Sequence, residues 1–172
     1  MKRNLLLLAA LTAGAILLMA DVKTDYSHST NFAQFHSYSW IKVDAGNSLW
    51  ADRIQRDVNA ALQAKGWTEV PSGGEAAVAA MGATHNQQTL NTFYDGIGGG
   101  WFWGGFGDEA TTTVENTPVG TLVVDIFNAS TKKLIWRSTA ANTLSGNPEK
   151  NTKKLENTVN DMFRHFPPEG QG

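Results

Sequence analysis

The chain of 172 residues contains no cysteine. A catalytic thiol, a disulfide framework, a cysteine-ligated zinc ion and an iron–sulfur cluster all need cysteine sulfur, so the sequence excludes each of them. The chain also lacks an excess of positive charge, since 14 Lys and Arg stand against 16 Asp and Glu. Binding to a phosphate backbone normally needs a basic surface, and we therefore expect no nucleic-acid partner.

The first twenty residues have the pattern of a secretory signal peptide. Lys2 and Arg3 precede residues 5–20, in which Thr12 is the one polar residue. This order, a positive segment and then an apolar segment of secretory length, is typical of an exported protein. A spanning helix needs about 20 apolar residues, so we favour a signal peptide over an uncleaved N-terminal anchor. We predict a location in the periplasm or cell envelope, with residues 21–172 forming a single domain.

Beyond this segment, β-rich stretches alternate with two amphipathic helices. Apolar residues recur every three or four positions from the predicted cap Ser48 to Gly66, and again from the cap Asn147 and Pro148 onward. The predicted strands cover residues 22–26, 37–43, 67–70, 76–88, 111–115, 120–127 and 133–144. This order predicts an α+β fold, a two-layer sandwich of a mainly antiparallel sheet with two helices packed on one face.

Two opposite charges interrupt apolar segments near the C-terminal half of the chain. Asp125 lies within the predicted strand 120–127, and Arg137 lies in the strand that follows a hairpin connection at residues 128–131. We expect the two side chains to form a cross-strand ion pair, which needs no functional explanation. The alternative is a buried carboxylate with a raised pKa, which would mark a functional site.

The segment 95–107, DGIGGGWFWGGFG, combines seven glycines with four aromatic residues. It does not match a dinucleotide-binding motif, because Trp101 occupies the third glycine position and a β-rich segment follows. The predicted binding residues are Trp101, Phe102, Trp103 and Phe106. Their rings could stack on a sugar or peptide, or enter a membrane interface. The alternatives are a loop that packs on its own sheet and a disordered loop.

No catalytic or metal-binding motif accompanies this loop. The four histidines, His28, His36, His85 and His165, show no helical i, i+4 pair and no H-E-x-x-H pattern, and no G-x-S-x-G turn is present. We therefore predict no catalytic residue, no metal and no cofactor. An enzyme would need a cluster such as Asp95, Asp108 and Glu109 with His85, for which the only argument is proximity along the chain.

Several segments resemble the bacterial domain of unknown function 4136 family. They are the opening DVKTDYSHSTNFAQFHSYSW, the helix end AKGW at residues 64–67, GTLVVDIF at 120–127, KLIWR at 133–137 and the terminal FPP at 166–168. A Gly- and aromatic-rich insert before GTLVVDI is also similar to the family. The resemblance implies an envelope protein, usually a predicted lipoprotein, without established activity or catalytic residues. This chain has no cysteine for a lipid anchor, so we expect it not to be lipidated.

These observations predict a non-enzymatic binding or structural module of the cell envelope that uses the aromatic, Gly-rich loop. Its predicted partner is another envelope protein or a glycan, and the membrane interface is a further candidate through loop 95–107 or the N-terminal segment. The alternative function is a periplasmic protein that binds glycan or peptidoglycan fragments or another small ligand.

Overall fold

The computed structural model describes residues 20–83 and 119–168, which build a six-stranded sheet and two α-helices. The strands are β1 (Asp21–Tyr26), β2 (Ser37–Asp44), β3 (Thr68–Glu69), β4 (Ala76–Ala83), β5 (Val119–Asn128) and β6 (Leu134–Thr143). The helices are α1 (Ser48–Ala64) and α2 (Pro148–Met162), with a 3-10 turn at Phe32–Gln34. The predicted strand 111–115 and the second part of the predicted strand 76–88 lie outside the described residues.

The order of strands across the sheet is β1-β6-β5-β4-β2-β3. The pairs β1–β6, β6–β5 and β5–β4 are antiparallel, whereas β2 runs parallel to both β4 and β3. The predicted two-layer α+β sandwich is confirmed, but the sheet is mixed rather than mainly antiparallel. The reason is the crossover through α1, since a helix that returns the chain to the same sheet joins strands in parallel. β1 and β2 follow each other along the chain, but three strands separate them in the sheet.

Both helices pack on one face of the sheet, as predicted. The cap of α1 is Asn47, one residue before the predicted Ser48, and its side chain accepts a hydrogen bond from the backbone N–H of Trp50 at 3.1 Å. The predicted cap of α2 is confirmed, because Asn147 accepts from the backbone of Glu149 and Lys150 and Pro148 opens the helix. Residues on one stripe of each helix join a common core with the sheet: Ile54, Val58, Ala61, Leu62, Val159 and Met162. No helix in the described ranges is long and apolar enough to span a membrane.

Aromatic side chains fill one end of this core, where α1 and α2 finish. The ring of Trp136 in β6 lies 4.9 Å from that of Phe163 and 5.2 Å from that of Phe166, measured between centroids. Trp67, which follows α1, packs edge-on against Phe166 at 5.1 Å. Phe32 and Phe35 extend the cluster, and all six rings are buried. Large rings in edge-to-face contact close this end of the sandwich tightly.

The opposite face of the sheet carries a second, smaller buried cluster: Ala77, Ala79, Met81, Val123, Phe127 and Leu134. Asp125 alternates with the inward-facing Val124 and Ile126 and therefore belongs to this second face. Its carboxylate accepts two hydrogen bonds of 2.7 Å from Arg137, directly opposite in β6. The predicted cross-strand ion pair is confirmed, and Asp125 is only 1% exposed.

The connection from β3 to β4 passes across the backbone of β2. Tyr38 in β2 is aligned with Glu69 of β3 on one side and with Ala76 of β4 on the other, so residues 70–75 must cross the strand between them. The crossing point is Gly74, which is buried. A Cβ atom on Gly74 would lie 2.5 Å from the backbone nitrogen of Ser39 and closer still to the carbonyl carbon of Tyr38. A side chain at this position cannot be accommodated without moving the β2 backbone.

Glu75 holds the start of β2 beside this crossing. Its Oε2 accepts hydrogen bonds from the backbone N–H groups of His36 and Ser37 at 2.7 and 3.0 Å. In return, the backbone N–H of Glu75 donates to the hydroxyl of Ser37 at 3.2 Å. The two backbone hydrogen bonds hold the pKa of Glu75 below its ordinary value of 4.5, and the bond from His36 has the larger effect.

This geometry predicts a pH-dependent contribution of Glu75 to stability. Because the folded state lowers the pKa, the contribution is complete above pH 4.5 and is lost as the pH falls through the folded pKa. We expect Glu75→Gln to lower the Tm at about pH 7 and to lower it less at about pH 3. Thermal unfolding at both pH values checks this, with Asp52→Asn on the exposed side of α1 as control. An equal Tm difference at both pH values would contradict the prediction.

Candidate ligand-binding cavity

A cavity of about 430 Å³ lies between the two helices and the sheet, at the end opposite the aromatic cluster. It is bounded by the ends of β2, β4 and β6, the start of β5, the first half of α1 and residues 151–158 of α2. Most of its surface is apolar, and the side chains that provide it include Trp50, Ile54, Leu122, Ala140, Leu144 and Leu155. Protein interiors contain few voids larger than a water molecule, and cavities of about 300 to 1,000 Å³ are typical ligand pockets.

Small residues in the central strands create this space. Gly82 in β4 and Gly120 in β5 lie on the floor, where the other end of the sandwich has tryptophan and phenylalanine. A Cβ on Gly82 would approach the Cδ1 of Ile54 to 2.8 Å, and one on Gly120 would approach the Cδ2 of Leu144 to 3.0 Å. Glycine within a strand often marks such a close approach. The two glycines let neighbouring apolar side chains reach the sheet while the volume beside them stays open.

Polar side chains in the cavity wall are held within the chain. Asn142 donates to the hydroxyl of Thr158 at 3.4 Å, and that hydroxyl donates to the carbonyl oxygen of Lys154 at 2.7 Å. The ammonium group of Lys154 donates to the carbonyl oxygen of Thr143 at 2.8 Å.

Asn151 is held in the same way, since it accepts from the backbone N–H of Ser145 at 2.8 Å and donates to the carbonyl oxygen of Ser145 at 2.7 Å. These four side chains position α2 against the end of β6.

Trp50 lines the cavity from the first turn of α1 and is partly buried. The guanidinium carbon of Arg53 lies 4.9 Å from the centre of its ring, in a cation–π contact. One face of the indole is therefore already occupied by a residue of the same helix.

The groups with shifted pKa values lie away from the cavity. Burial raises the pKa of Asp57, against the lowering effect of the neighbouring Arg56 at 2.8 Å. Burial, with a smaller effect of the Glu69 charge, raises the pKa of Tyr38. The Tyr38 hydroxyl therefore stays protonated and donates to Asn59 at 2.8 Å, which ties β2 to α1. Neither Asp57 nor Tyr38 lines the cavity. Within residues 20–83 and 119–168, no cluster of three His, Asp or Glu side chains could hold a metal ion.

The residues predicted as the binding site, Trp101, Phe102, Trp103 and Phe106, lie outside the described residues. So do those named for an enzyme: His85, Asp95, Asp108 and Glu109. His28 follows β1 and His36 precedes β2. These two strands are not neighbours in the sheet, so the histidines cannot meet across paired strands. The cavity was not predicted from the sequence. The signal that could have indicated it is the pair Gly82 and Gly120, because a glycine inside an apolar strand pattern indicates a close backbone approach or a bulge.

The sequence profile of the family described as "Domain of unknown function (DUF4136)" matches residues 22–168 of the chain. The chain belongs to the DUF4136 family. The resemblance seen in segments such as GTLVVDIF and KLIWR is thus confirmed over nearly the whole region after the predicted signal segment. A search of curated protein sequences found no significant match to this DUF4136 chain.

Solved structures similar to the DUF4136 chain show the same fold. A DUF4136 family protein from Bacteroides thetaiotaomicron aligns with a TM-score of 0.58 and 18% identity, over 86% of this chain and 96% of that one. A PDZ domain protein from Parabacteroides distasonis aligns with a TM-score of 0.59 and 13% identity. The alignment covers 89% of this chain but 36% of that protein. At these identities the likeness concerns the fold alone.

Proposed function

We propose that this DUF4136 domain is an exported, non-enzymatic module of the cell envelope that binds a small ligand in the cavity between α1, α2 and the sheet. The observation that carries the proposal is the volume of about 430 Å³ that the described residues leave open, in a sandwich whose other end is filled by six aromatic rings. Residues 1–20, with their signal-peptide pattern, support export.

The proposal favours the small-ligand alternative over binding through loop 95–107. The cavity belongs to described residues from both layers of the fold, so its shape follows from the packing of α1 and α2 on the sheet. Binding of an envelope partner by Trp101, Phe102, Trp103 and Phe106 remains a separate prediction.

The residues that line the cavity support binding rather than catalysis. Asp44 and Lys154 are the ionisable side chains among the described lining residues. The Lys154 ammonium group is held by the carbonyl oxygen of Thr143, and Asp44 accepts from the backbone N–H of Gly46 at 3.4 Å. Acid–base catalysis usually needs a second group that orients the reacting one, and no salt bridge among the described residues joins Asp44 or Lys154 to such a group. The cavity wall offers hydrophobic contact instead.

Filling the cavity should abolish ligand binding without unfolding the protein. Ala140 is 3% exposed and lies on the floor in β6, so Ala140→Leu places a larger apolar side chain in the open volume. The uncharged fluorescent probe N-phenyl-1-naphthylamine should bind the unmodified chain saturably, and Ala140→Leu should weaken its binding about ten-fold or more. A cooperative thermal unfolding transition of Ala140→Leu checks that the variant is folded.

Ala60→Leu is the matched control, since it makes the same chemical change on the exposed side of α1. It should bind the probe as the unmodified chain does. The proposal fails if the probe does not bind saturably, or if Ala140→Leu and Ala60→Leu bind it equally well.

A further inference from the structure

We propose that the ligand is an unbranched aliphatic chain, carried by an amphipathic molecule whose polar head stays outside the cavity. This inference rests on the proposed function and names the class of ligand for the same site. It departs from the sequence-based alternative, in which the ligand is a glycan or peptidoglycan fragment.

Four polar side chains of the wall each make a hydrogen bond within the chain, which a sugar or peptide would have to break or share. Amide, ammonium and hydroxyl side chains often bind sugars or peptides in other proteins. Four such side chains line the cavity from β6 and α2: Asn142, Asn151, Lys154 and Thr158. Each is engaged with a neighbour at 2.7 to 3.4 Å. A sugar hydroxyl or a peptide amide that entered the cavity would lose its bonds to water without gaining full replacements, which costs free energy. An aliphatic chain needs no such partners.

The tryptophan in the wall has one face covered by the guanidinium of Arg53, which does not itself line the cavity. What Trp50 offers to the cavity is apolar surface alongside Ile54 and Leu155. These side chains favour contact with methylene groups.

The floor of the cavity is also suited to a narrow apolar chain. Gly82, Gly120 and Ala140 lie there on three adjacent strands. The aliphatic side chains of Ile54 and Leu144 pack close to the two glycines, so the surface there is apolar. The charged lining residues, Asp44 and Lys154, come from the end of β2 and from α2. Asp44 is exposed, so a polar head can stay in contact with water beside it.

A series of n-alkyl β-glucosides tests this class of ligand, because the sugar head stays constant while the tail grows. Binding to the full chain is measured by calorimetry with monomeric ligand and by displacement of N-phenyl-1-naphthylamine. From hexyl to octyl, we expect affinity to rise about three- to four-fold for each added methylene, since each buries a similar apolar area. Methyl β-glucoside and muramyl dipeptide, which have no aliphatic tail, should not bind. Ala140→Leu should remove the dependence on tail length, and Ala60→Leu should leave it intact.

The outcomes separate this inference from the proposed function. If muramyl dipeptide or methyl β-glucoside binds and Ala140→Leu abolishes that binding, the cavity is a ligand site but the aliphatic assignment is wrong. The aliphatic assignment is also wrong if affinity does not change with tail length. If neither the probe nor any glucoside binds, or if Ala140→Leu changes nothing, both proposals fail together.

Discussion

Gly74→Ala should destabilise the domain by about 3 kcal/mol or more, as expected when a new atom is forced into a closely packed site whose neighbours are backbone. The Cβ would lie 2.5 Å from the backbone nitrogen of Ser39, where β2 is hydrogen-bonded between β3 and β4. The clash could be removed only by moving β2, which lies between its two parallel neighbours, β3 and β4. Equilibrium urea unfolding, followed by far-UV circular dichroism, measures the loss.

Gly146→Ala provides the matched comparison. A Cβ at Gly146 meets nothing within 4 Å, and its backbone is not in the left-handed region. This variant should differ from the unmodified chain by less than about 1 kcal/mol, through the unfolded state alone. If Gly74→Ala and Gly146→Ala unfolded at the same urea concentration, this would contradict the close approach of Gly74 to the backbone of β2.

Asp125→Ala should cost about 3 to 5 kcal/mol of stability, because it removes the carboxylate from a buried, doubly hydrogen-bonded ion pair. Asp125 is 1% exposed and the side chain of Arg137 is 16% exposed, so water replaces little of the lost interaction. The measurement is again urea unfolding at neutral pH. The double variant Asp125→Leu with Arg137→Met should recover most of the loss, since it replaces the buried pair by apolar groups.

The exposed pair Arg164 and Asp161 on α2 and its C-terminal turn is the control. Arg164→Ala should change stability by less than about 1 kcal/mol, because water solvates the remaining charge. If Asp125→Ala and Arg164→Ala lowered the free energy of unfolding equally, the expected effect of burial on the Asp125–Arg137 pair would be wrong.

Local sequence signals predicted the elements whose stability is decided within a few residues. Asn147 followed by Pro148 predicts the start of α2 because both residues satisfy the first turn of a helix. The connection after β5 was predicted on similar grounds, and there Asn128 accepts from the backbone of Ser130 and Thr131 at 2.9 and 3.0 Å. The cap of α1 was placed one residue late because Asn47 and Ser48 are both good caps, and the choice between them depends on the path of the preceding chain.

Pairing between strands that no hairpin joins could not be predicted in the same way. β1 pairs with β6, although Asp21 and its partner Ala141 lie far apart in sequence, and β2 pairs with β4 across a helix. A strand segment shows by its pattern that it is half-buried, but not which segment lies beside it. The mixed sheet follows from the α1 crossover and from the passage of Gly74 over β2, both of which are properties of the whole chain path.

The sequence by itself determined the class of the fold, the family, both helices and the Asp125–Arg137 pairing, because each rests on short-range patterns or on motifs that stay recognisable without a structure. Only the tertiary structure decided where the candidate binding cavity lies. Gly82 and Gly120 are visible in the sequence, but their position together beneath Ile54 and Leu144 depends on the β4–β5 register and on where the helices lie. A cavity is the volume that side chains from β2, β4, β5, β6, α1 and α2 leave unfilled, and no single segment carries that information.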